Sequence, residues 1–227
     1  MADRVPTARV YIDGFNLYRR CLSSHPDLKW LDLWALCQRL LPDFELQHVD
    51  YFTAQLRPGI QFDPRTPVRQ QMYLRALRTL GEERLSIHFG SFRNDRRNMP
   101  IHPVRVDPKT GKWATTTVKK LEEKGSDVNL ASRMVADSIL GRADIVVMLS
   151  NDSDLAGPIR MLKEELGKST GIIFPMPSSR GAKELVHTTP DFVTHVKLDA
   201  LRACQFDDQL VDSEGRIFHR PDAWKLH

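Results

Sequence analysis

Cysteine is scarce in this chain of 227 residues, which has only Cys21, Cys37 and Cys204 and no Cys-x-x-Cys pair. That scarcity argues against a disulfide framework and a zinc finger, and makes a reducing cytoplasm the expected setting. Long apolar runs are missing too. The densest, Ile145–Leu149, falls far short of the ~20 residues that a membrane-spanning helix needs, so no membrane is expected. The opening Met1–Pro6 has no apolar block of the signal-peptide kind. Neither Gly-x-Gly-x-x-Gly nor Gly-x-Ser-x-Gly occurs, so dinucleotide binding and nucleophile-elbow hydrolysis lack support. The eight histidines show no metal-ligand spacing, and His88 and His102 read as surface or packing residues.

What is present is an ordinary globular composition, 41% hydrophobic and 27% charged, long enough to bury a full core. The net charge of +4 is unevenly spread. Between Ser91 and Lys120 eight basic residues, Arg93, Arg96, Arg97, Arg105, Lys109, Lys112, Lys119 and Lys120, stand against Asp95 and Asp107. This local excess is larger than that of the whole chain. It favours a polyanionic partner over a merely solvated loop once other signals agree.

Strand and helix signals alternate. Short apolar strands are expected at 9–12, 46–54, 85–89, 144–149 and 171–174, and helices at 15–22, 31–41, 67–80, 126–140 and 155–166. Asp32 is placed to cap the second helix, and Gly81, Gly141 and Gly167 to end later ones. From Ser91 to Thr116 the pattern breaks at Pro100, Pro103, Pro108 and Gly111, which reads as loop or hairpin. The alternation implies an α/β fold, a three-layer α/β/α sandwich around a mainly parallel sheet. We expect one domain over 1–203 and a C-terminal appendage, 204–227, packed along its surface.

A parallel sheet converts sequence positions into spatial ones, because ligands sit at the carboxyl ends of its strands. Asp13 follows directly on the first strand, with Asn16 just beyond. Ser150, Asn151, Asp152 and Asp154 follow directly on the 145–149 strand, and Asp127 opens the helix that returns to the same edge. Acids more than a hundred residues apart are thus expected at one rim. Asp137 is not, because ten residues beyond Asp127 is a rise of ~15 Å toward the far edge; a local pair with Arg133 is its expected role. Two carboxylates 4 Å apart repel by ~4 kcal/mol at an effective dielectric of 20, so such a cluster calls for a cation. Oxygen ligands without His or Cys suit Mg2+ or Mn2+. A metal so held can activate water and neutralise a phosphodiester in transfer, while the basic segment grips the polyphosphate.

Each acid also has a plainer reading. Asp13-Gly14 matches a hairpin turn, although the helical spacing of Phe15, Tyr18 and Leu22 speaks against it. Ser126, Asp127 and Asp154 suit helix N-caps, with Pro158 then falling in a first turn. Gly167-Lys168-Ser169-Thr170 imitates the end of a phosphate-binding loop, but Leu162 stands where the first glycine belongs, and the segment joins helix to strand. A haloacid-dehalogenase phosphatase would need an acid at the place of Phe15.

Val10-Tyr11-Ile12-Asp13-Gly14-Phe15-Asn16-Leu17-Tyr18 resembles the opening motif of NYN domains, in the PIN-like nuclease superfamily, as seen in the LabA/DUF88-like bacterial group. Glu122–Leu130 and Ser150–Leu155 resemble its second and third motifs, in the same order and spacing. The similarity runs from about Arg9 to Val196, and Gly215–Trp224 is similar to a common ending of bacterial members. The resemblance implies a PIN-like sandwich and a Mg2+- or Mn2+-dependent ribonuclease. It carries the acidic ligands onto Asp13, Asp127, Asp152 and Asp154, an orienting role onto Asn16, a supporting one onto Ser150 and a phosphate contact onto Lys124. Arg133 stands where many members have an acid, and a similar subgroup has one at the place of Asp137. The expected function is therefore an endoribonuclease, with Arg93, Arg96, Arg97, Lys119 and Lys120 steering RNA. The alternatives are an RNA-binding scaffold whose site has decayed, or a DNA nuclease. Homodimer formation stays open.

Overall fold

The computed structural model describes residues 4–56, 63–176 and 180–225. In chain order the strands are β1 (Thr7–Asp13), β2 (Glu45–Ala54), β3 (Leu85–Pro100), β4 (Thr115–Lys124), β5 (Ile145–Leu149), β6 (Ser169–Phe174), β7 (Phe192–His195), β8 (Gln209–Val211) and β9 (Ile217–His219). The helices are α1 (Gly14–Leu17), α2 (Leu33–Leu40), α3 (Thr66–Arg78), α4 (Ser126–Ile139), α5 (Ala156–Arg160), α6 (Lys183–Val186) and α7 (Leu198–Ala203). Wide π-type turns extend α1 through Leu22 and α5 through Glu165. No described helix is long and apolar enough to cross a membrane.

The seven-stranded sheet has the order β4-β3-β2-β1-β5-β6-β7 and is parallel except for the β3–β4 pair. Alternate side chains of the central strands go to opposite layers, as the pleat requires. Ala8, Val10 and Ile12 of β1 and Val147 and Leu149 of β5 pack with α2, α3 and α7 on one face. Tyr11, Val146 and Met148 pack with Leu130 and Met134 of α4 and Ile159 of α5 on the other. Burial on both faces is why these strands read as continuous apolar runs. The expected α/β/α sandwich is what the chain forms.

One helix start follows its sequence cue, and another departs from it: α4 begins after Gly125 with no side-chain cap, so Ser126 and Asp127 lie within its first turn and do not cap it. The Asp32 carboxylate accepts the Ala35 N–H at 3.0 Å and caps α2. Gly125 holds a left-handed φ of 98° immediately before α4, a conformation that side chains resist, and so turns β4 sharply into the helix.

The segment 91–116 is a hairpin arm. β3 pairs with β2 through Gly90, then leaves it and pairs with β4 from Ser91↔Lys124 to Pro100↔Thr115. Those ten positions span ~33 Å. The prolines and Gly111 that break the pattern lie at its tip. β7 has no counterpart among the expected strands, since its four residues are only partly buried and leave no clear alternation.

The tail is pinned by aromatics. Phe206, Phe218 and Trp224 each lie within 6.3 Å, ring centre to ring centre, of fully buried Trp30, in the same core as α2 and α3. The Trp30 indole N–H donates to the Asp207 carbonyl at 2.8 Å, and Arg75 of α3 pairs with Asp212 at 2.6 Å.

Candidate metal centre

The strand order runs one way from β1 through β2 and β3 and the other way from β5 through β6 and β7. The carboxyl ends of β1 and β5 therefore flank a switch point, where neighbouring loops diverge and leave a crevice. Asp13 ends β1 at this point. One carboxylate oxygen accepts the Asn16 N–H at 2.9 Å, and the other accepts the Ser150 hydroxyl at 2.9 Å. Gly14 is required next to it. A Cβ there would lie 2.7 Å from the Phe52 carbonyl oxygen and from the Tyr51 ring.

Ser150 links the two strand ends. Its hydroxyl also accepts the Asp152 N–H at 3.0 Å, and Asp152 in turn accepts the Asp154 N–H at 3.0 Å. The Asn16 side-chain carbonyl accepts the Asn151 N–H at 3.2 Å, tying the two loops a second time. Asp127 arrives from the first turn of α4.

Oxygens of Asp13, Asp127 and Asp152 all lie within 4.8 Å of one another. At that separation each pair of full charges repels by ~3 kcal/mol at an effective dielectric of 20. The strain shows in proton affinity. Asp127 is pushed up to about 6, first by burial and then by the charges of Asp13, Asp152, Glu123 and Asp154. Burial also raises Asp13, against the hydrogen bonds from Asn16 and Ser150 and with the Asp152 charge adding to the rise. Three hard oxygen donors, with no His or Cys among the described residues lining the cleft, fit a hard divalent cation. Asp154 is exposed and stands outside the trio, although its charge still reaches Asp127.

The trio opens into a cleft of about 420 Å³, also lined by Asn16, Arg19, Arg20, Glu122, Glu123 and Lys124. Lys124 therefore lines the same cleft as the trio. Arg19 and Arg20 escaped the sequence reading, although they follow Asn16 by three and four positions and so share its face of the helix. Arg93, Arg96, Arg97, Lys119 and Lys120 do not line the cleft and lie farther out on the hairpin arm. Arg93, Arg97 and Lys120 share with Glu122 and Lys124 the same face of that ladder. Glu122 draws Lys124 at 3.2 Å, Arg97 at 3.4 Å and Lys120 to itself, so part of the positive charge is compensated.

Asp137 is held elsewhere, as the helical rise requires. It is buried beneath α4 and meets Arg133 at 3.1 Å, Arg9 at 3.1 Å, Arg142 at 3.2 Å and the Tyr11 hydroxyl at 3.1 Å. Arg9 also pairs with fully buried Asp50 at 2.8 Å, and His88 bonds Asp50 at 2.8 Å while stacking on Phe52. Burial would raise Asp50, but the bonds from His88 and Arg9 outweigh it and hold that carboxyl below its ordinary range. This network braces the sheet and not the cleft.

A second hollow of about 340 Å³ adjoins the cleft and shares Phe15, Arg19 and Glu123 with it. Aromatic rings dominate its walls, among them Tyr18, Tyr51, Tyr73, Phe92 and Trp224.

Among known proteins, the chain is 29% identical to 6-hydroxy-3-succinoylpyridine 3-monooxygenase HspA of Pseudomonas putida, a match covering 95% of this chain and 74% of that one. In structure it is similar to a crystallised protein of unknown function from Vibrio parahaemolyticus, with a TM-score of 0.52 and 15% identity, over 88% of this chain and 98% of the other. That second likeness concerns the fold alone. Residues 7–199 match the NYN domain, a span that takes in all three motif segments and every strand of the main sheet. With its acid-bearing strand ends at the switch point of a parallel sheet, the chain belongs to the NYN domain family of the PIN-like superfamily.

Proposed function

We propose that the protein hydrolyses phosphodiester bonds of RNA, using a Mg2+ or Mn2+ ion held by Asp13, Asp127 and Asp152. The observation that carries the reading is the meeting of three carboxylates from the ends of β1 and β5 and the start of α4, within 4.8 Å of one another. A divalent ion bound there supplies Lewis acidity and screens charge building on the phosphate. The chain supplies the remainder. Arg19, Arg20 and Lys124 line the same cleft and take up phosphate oxygens. Ser150 and the Asn16 N–H fix the orientation of the Asp13 carboxylate, and the Asn16 side chain locks the β5 loop that carries Asp152. Asp154 acts on the centre through its charge.

The test is cleavage of RNA and of matched DNA with Mg2+ or Mn2+, by wild type and Asp13→Ala. RNA products from wild type alone support the reading. Failure of the wild type to cleave, or equal cleavage by the variant, would sink it. Metal-independent RNA binding without cleavage would instead favour the scaffold alternative.

A second reading rests on the relative named as a monooxygenase and on the ring-lined hollow beside the acids. It predicts that, with an external two-electron donor such as a reduced nicotinamide, oxygen is consumed with 6-hydroxy-3-succinoylpyridine, one oxygen atom entering the product and the other leaving as water. The donor set favours hydrolysis, because oxygen-activating iron(II) centres characteristically combine two histidines with one carboxylate, whereas this trio is all carboxylate.

A further inference from the structure

The hairpin arm projects from the sheet with both of its faces open. From Arg93 to Pro100 every residue but Asp95 is exposed, and from Thr115 to Lys120 every residue but Val118 and Lys120. A two-stranded ribbon bare on both faces is marginal in water, so one this long calls for something to lie along it. Its faces differ in charge. On one, Arg93 stands opposite Glu122 and Lys120 opposite Asp95, so unlike signs meet across the ladder. On the other, Arg96 stands directly opposite Lys119, a pairing of like charges that is unfavourable and that an anion between them relieves.

The tip adds an aromatic platform. Val106 pairs with Trp113 across its turn, and both are exposed, at 60% and 63%. Arg105, Lys109 and Lys112 belong to the same turn, with Asp107 as its one acid. Asp107 holds the turn together, its carboxylate accepting the Lys109 N–H at 2.8 Å and its carbonyl the Gly111 N–H at 2.9 Å.

We propose that the arm is a second RNA-binding surface, which holds the strand outside the cleft by phosphates on Arg96 and Lys119 and by one base stacked on Trp113. The choice of RNA as the polyanion rests on the reading of the cleft as an RNA-cleaving centre. Continuity supports it: Lys124 lines the cleft and is also the last residue of β4, so a strand leaving the acids along β4 enters the arm. Charge decides against other occupants. The arm of a second copy would bring a second basic ribbon against the first. A membrane touched by the tip would leave Arg93, ~23 Å back along the strand, several ~8 Å screening lengths from its charge. A polyanion that follows the ribbon meets the basic residues along its whole length. The paired stretch of ~33 Å matches ~10 stacked nucleotides at ~3.4 Å each. Affinity should therefore depend on how far the RNA extends beyond the cleft.

The experiment uses full-length protein in EDTA and two labelled RNAs, one of about 5 nucleotides, too short to join cleft and tip, and one of about 25. The long RNA should bind more tightly and quench tryptophan emission. Trp113→Ala should lose about tenfold on the long RNA, the scale of one base–aromatic stack, and nothing on the short one. Trp113→Phe should restore most of the affinity without the quench. Arg96→Gln and Lys119→Gln should each flatten the plot of log affinity against log salt by ~0.7, again on the long RNA alone. Unchanged melting temperatures show that the variants are folded. Equal affinity for the two lengths, or a loss in Trp113→Ala that is the same for both, would overturn the proposal. So would self-association, or capture by phosphatidylserine vesicles, that Trp113→Ala abolishes while leaving RNA affinity intact. Because binding is read without metal, an absence of cleavage counts against the hydrolytic reading and leaves this result standing.

Discussion

Replacing Asp127 by Asn should stabilise the metal-free protein and remove most of its response to metal, a reversal that few other mechanisms produce. The isosteric amide keeps the shape and deletes one charge from a trio whose oxygens lie within 4.8 Å. The rise of Asp127 from 3.8 to about 6 would be worth ~3 kcal/mol at ~1.4 kcal/mol per pH unit. The side chain is only half-buried, and solvent screening reduces the figure to about 1 kcal/mol. Loss of a negative charge from the first turn of α4 opposes this by ~0.3–0.5 kcal/mol. A net gain of ~0.5 kcal/mol raises the melting temperature of a chain this long by roughly 1–2 °C. For wild type, Mn2+ at a hundred times its dissociation constant adds ~2.7 kcal/mol, or roughly 8 °C; the variant should gain less than about a quarter of that. The pH dependence has a definite sign. A carboxyl raised in the folded state favours folding below its unfolded value, near 3.8, and that advantage is lost as pH climbs through about 6. The difference between variant and metal-free wild type should therefore grow from pH 4 to 7. Scanning calorimetry at several pH values, with and without Mn2+, measures all of this. A metal-free variant that melts lower than wild type at pH 7.5, or matches its Mn2+ response, would refute a shared cation site.

Other substitutions separate the layers of the site. Ser150→Ala removes the hydroxyl held by Asp13 at 2.9 Å, and a ligand that loses such support should bind Mn2+ ~10–100-fold more weakly, as read by calorimetric titration; unaltered affinity would mean that Ser150 serves folding alone. Lys124→Ala and Arg20→Ala should each weaken single-stranded RNA binding and flatten the plot of log affinity against log salt by ~0.7 for each phosphate no longer neutralised. An unchanged slope would place the phosphates elsewhere. Asp137→Ala leaves Arg9, Arg133 and Arg142 around a buried vacancy and should cost ~3–5 kcal/mol in urea unfolding, whereas a loss of metal binding without a loss of stability would move Asp137 into the centre.

The sandwich and the rim were legible because they depend on period and order. β1 and β5 read as strands through runs of residues buried on both faces, and Asp32 and Gly141 marked helix ends through capping chemistry that acts within a few residues. The arm was only half legible. Its prolines announced a break, but the paired stretch from Ser91 to Lys124 is largely exposed, so no apolar alternation marks it as strand. The tail expected to lie along the surface instead sends Phe206, Phe218 and Trp224 into the core around Trp30, a contact between residues nearly two hundred positions apart that periodicity does not register.

The site divides in the same way. Asp13, Asp127 and Asp152 were readable from topology, because a parallel sheet sends every strand end and helix start to one rim. Asp137 was readable as a non-member for the converse reason, since ten helical residues carry it out of reach of Asp127. What sequence order does not encode is side-chain direction around loops. Asp154, two residues after Asp152, donates its N–H to the trio's scaffold and turns its carboxylate to solvent. Arg19 and Arg20 line the cleft from the wide turn that continues α1 past Leu17. Arg97 and Lys120 are drawn to Glu122, and none of Arg93, Arg96, Arg97, Lys119 and Lys120 lines the cleft, so most of the charge excess that first suggested a polyanion lies where it can draw a strand toward the acids without competing with a cation for them.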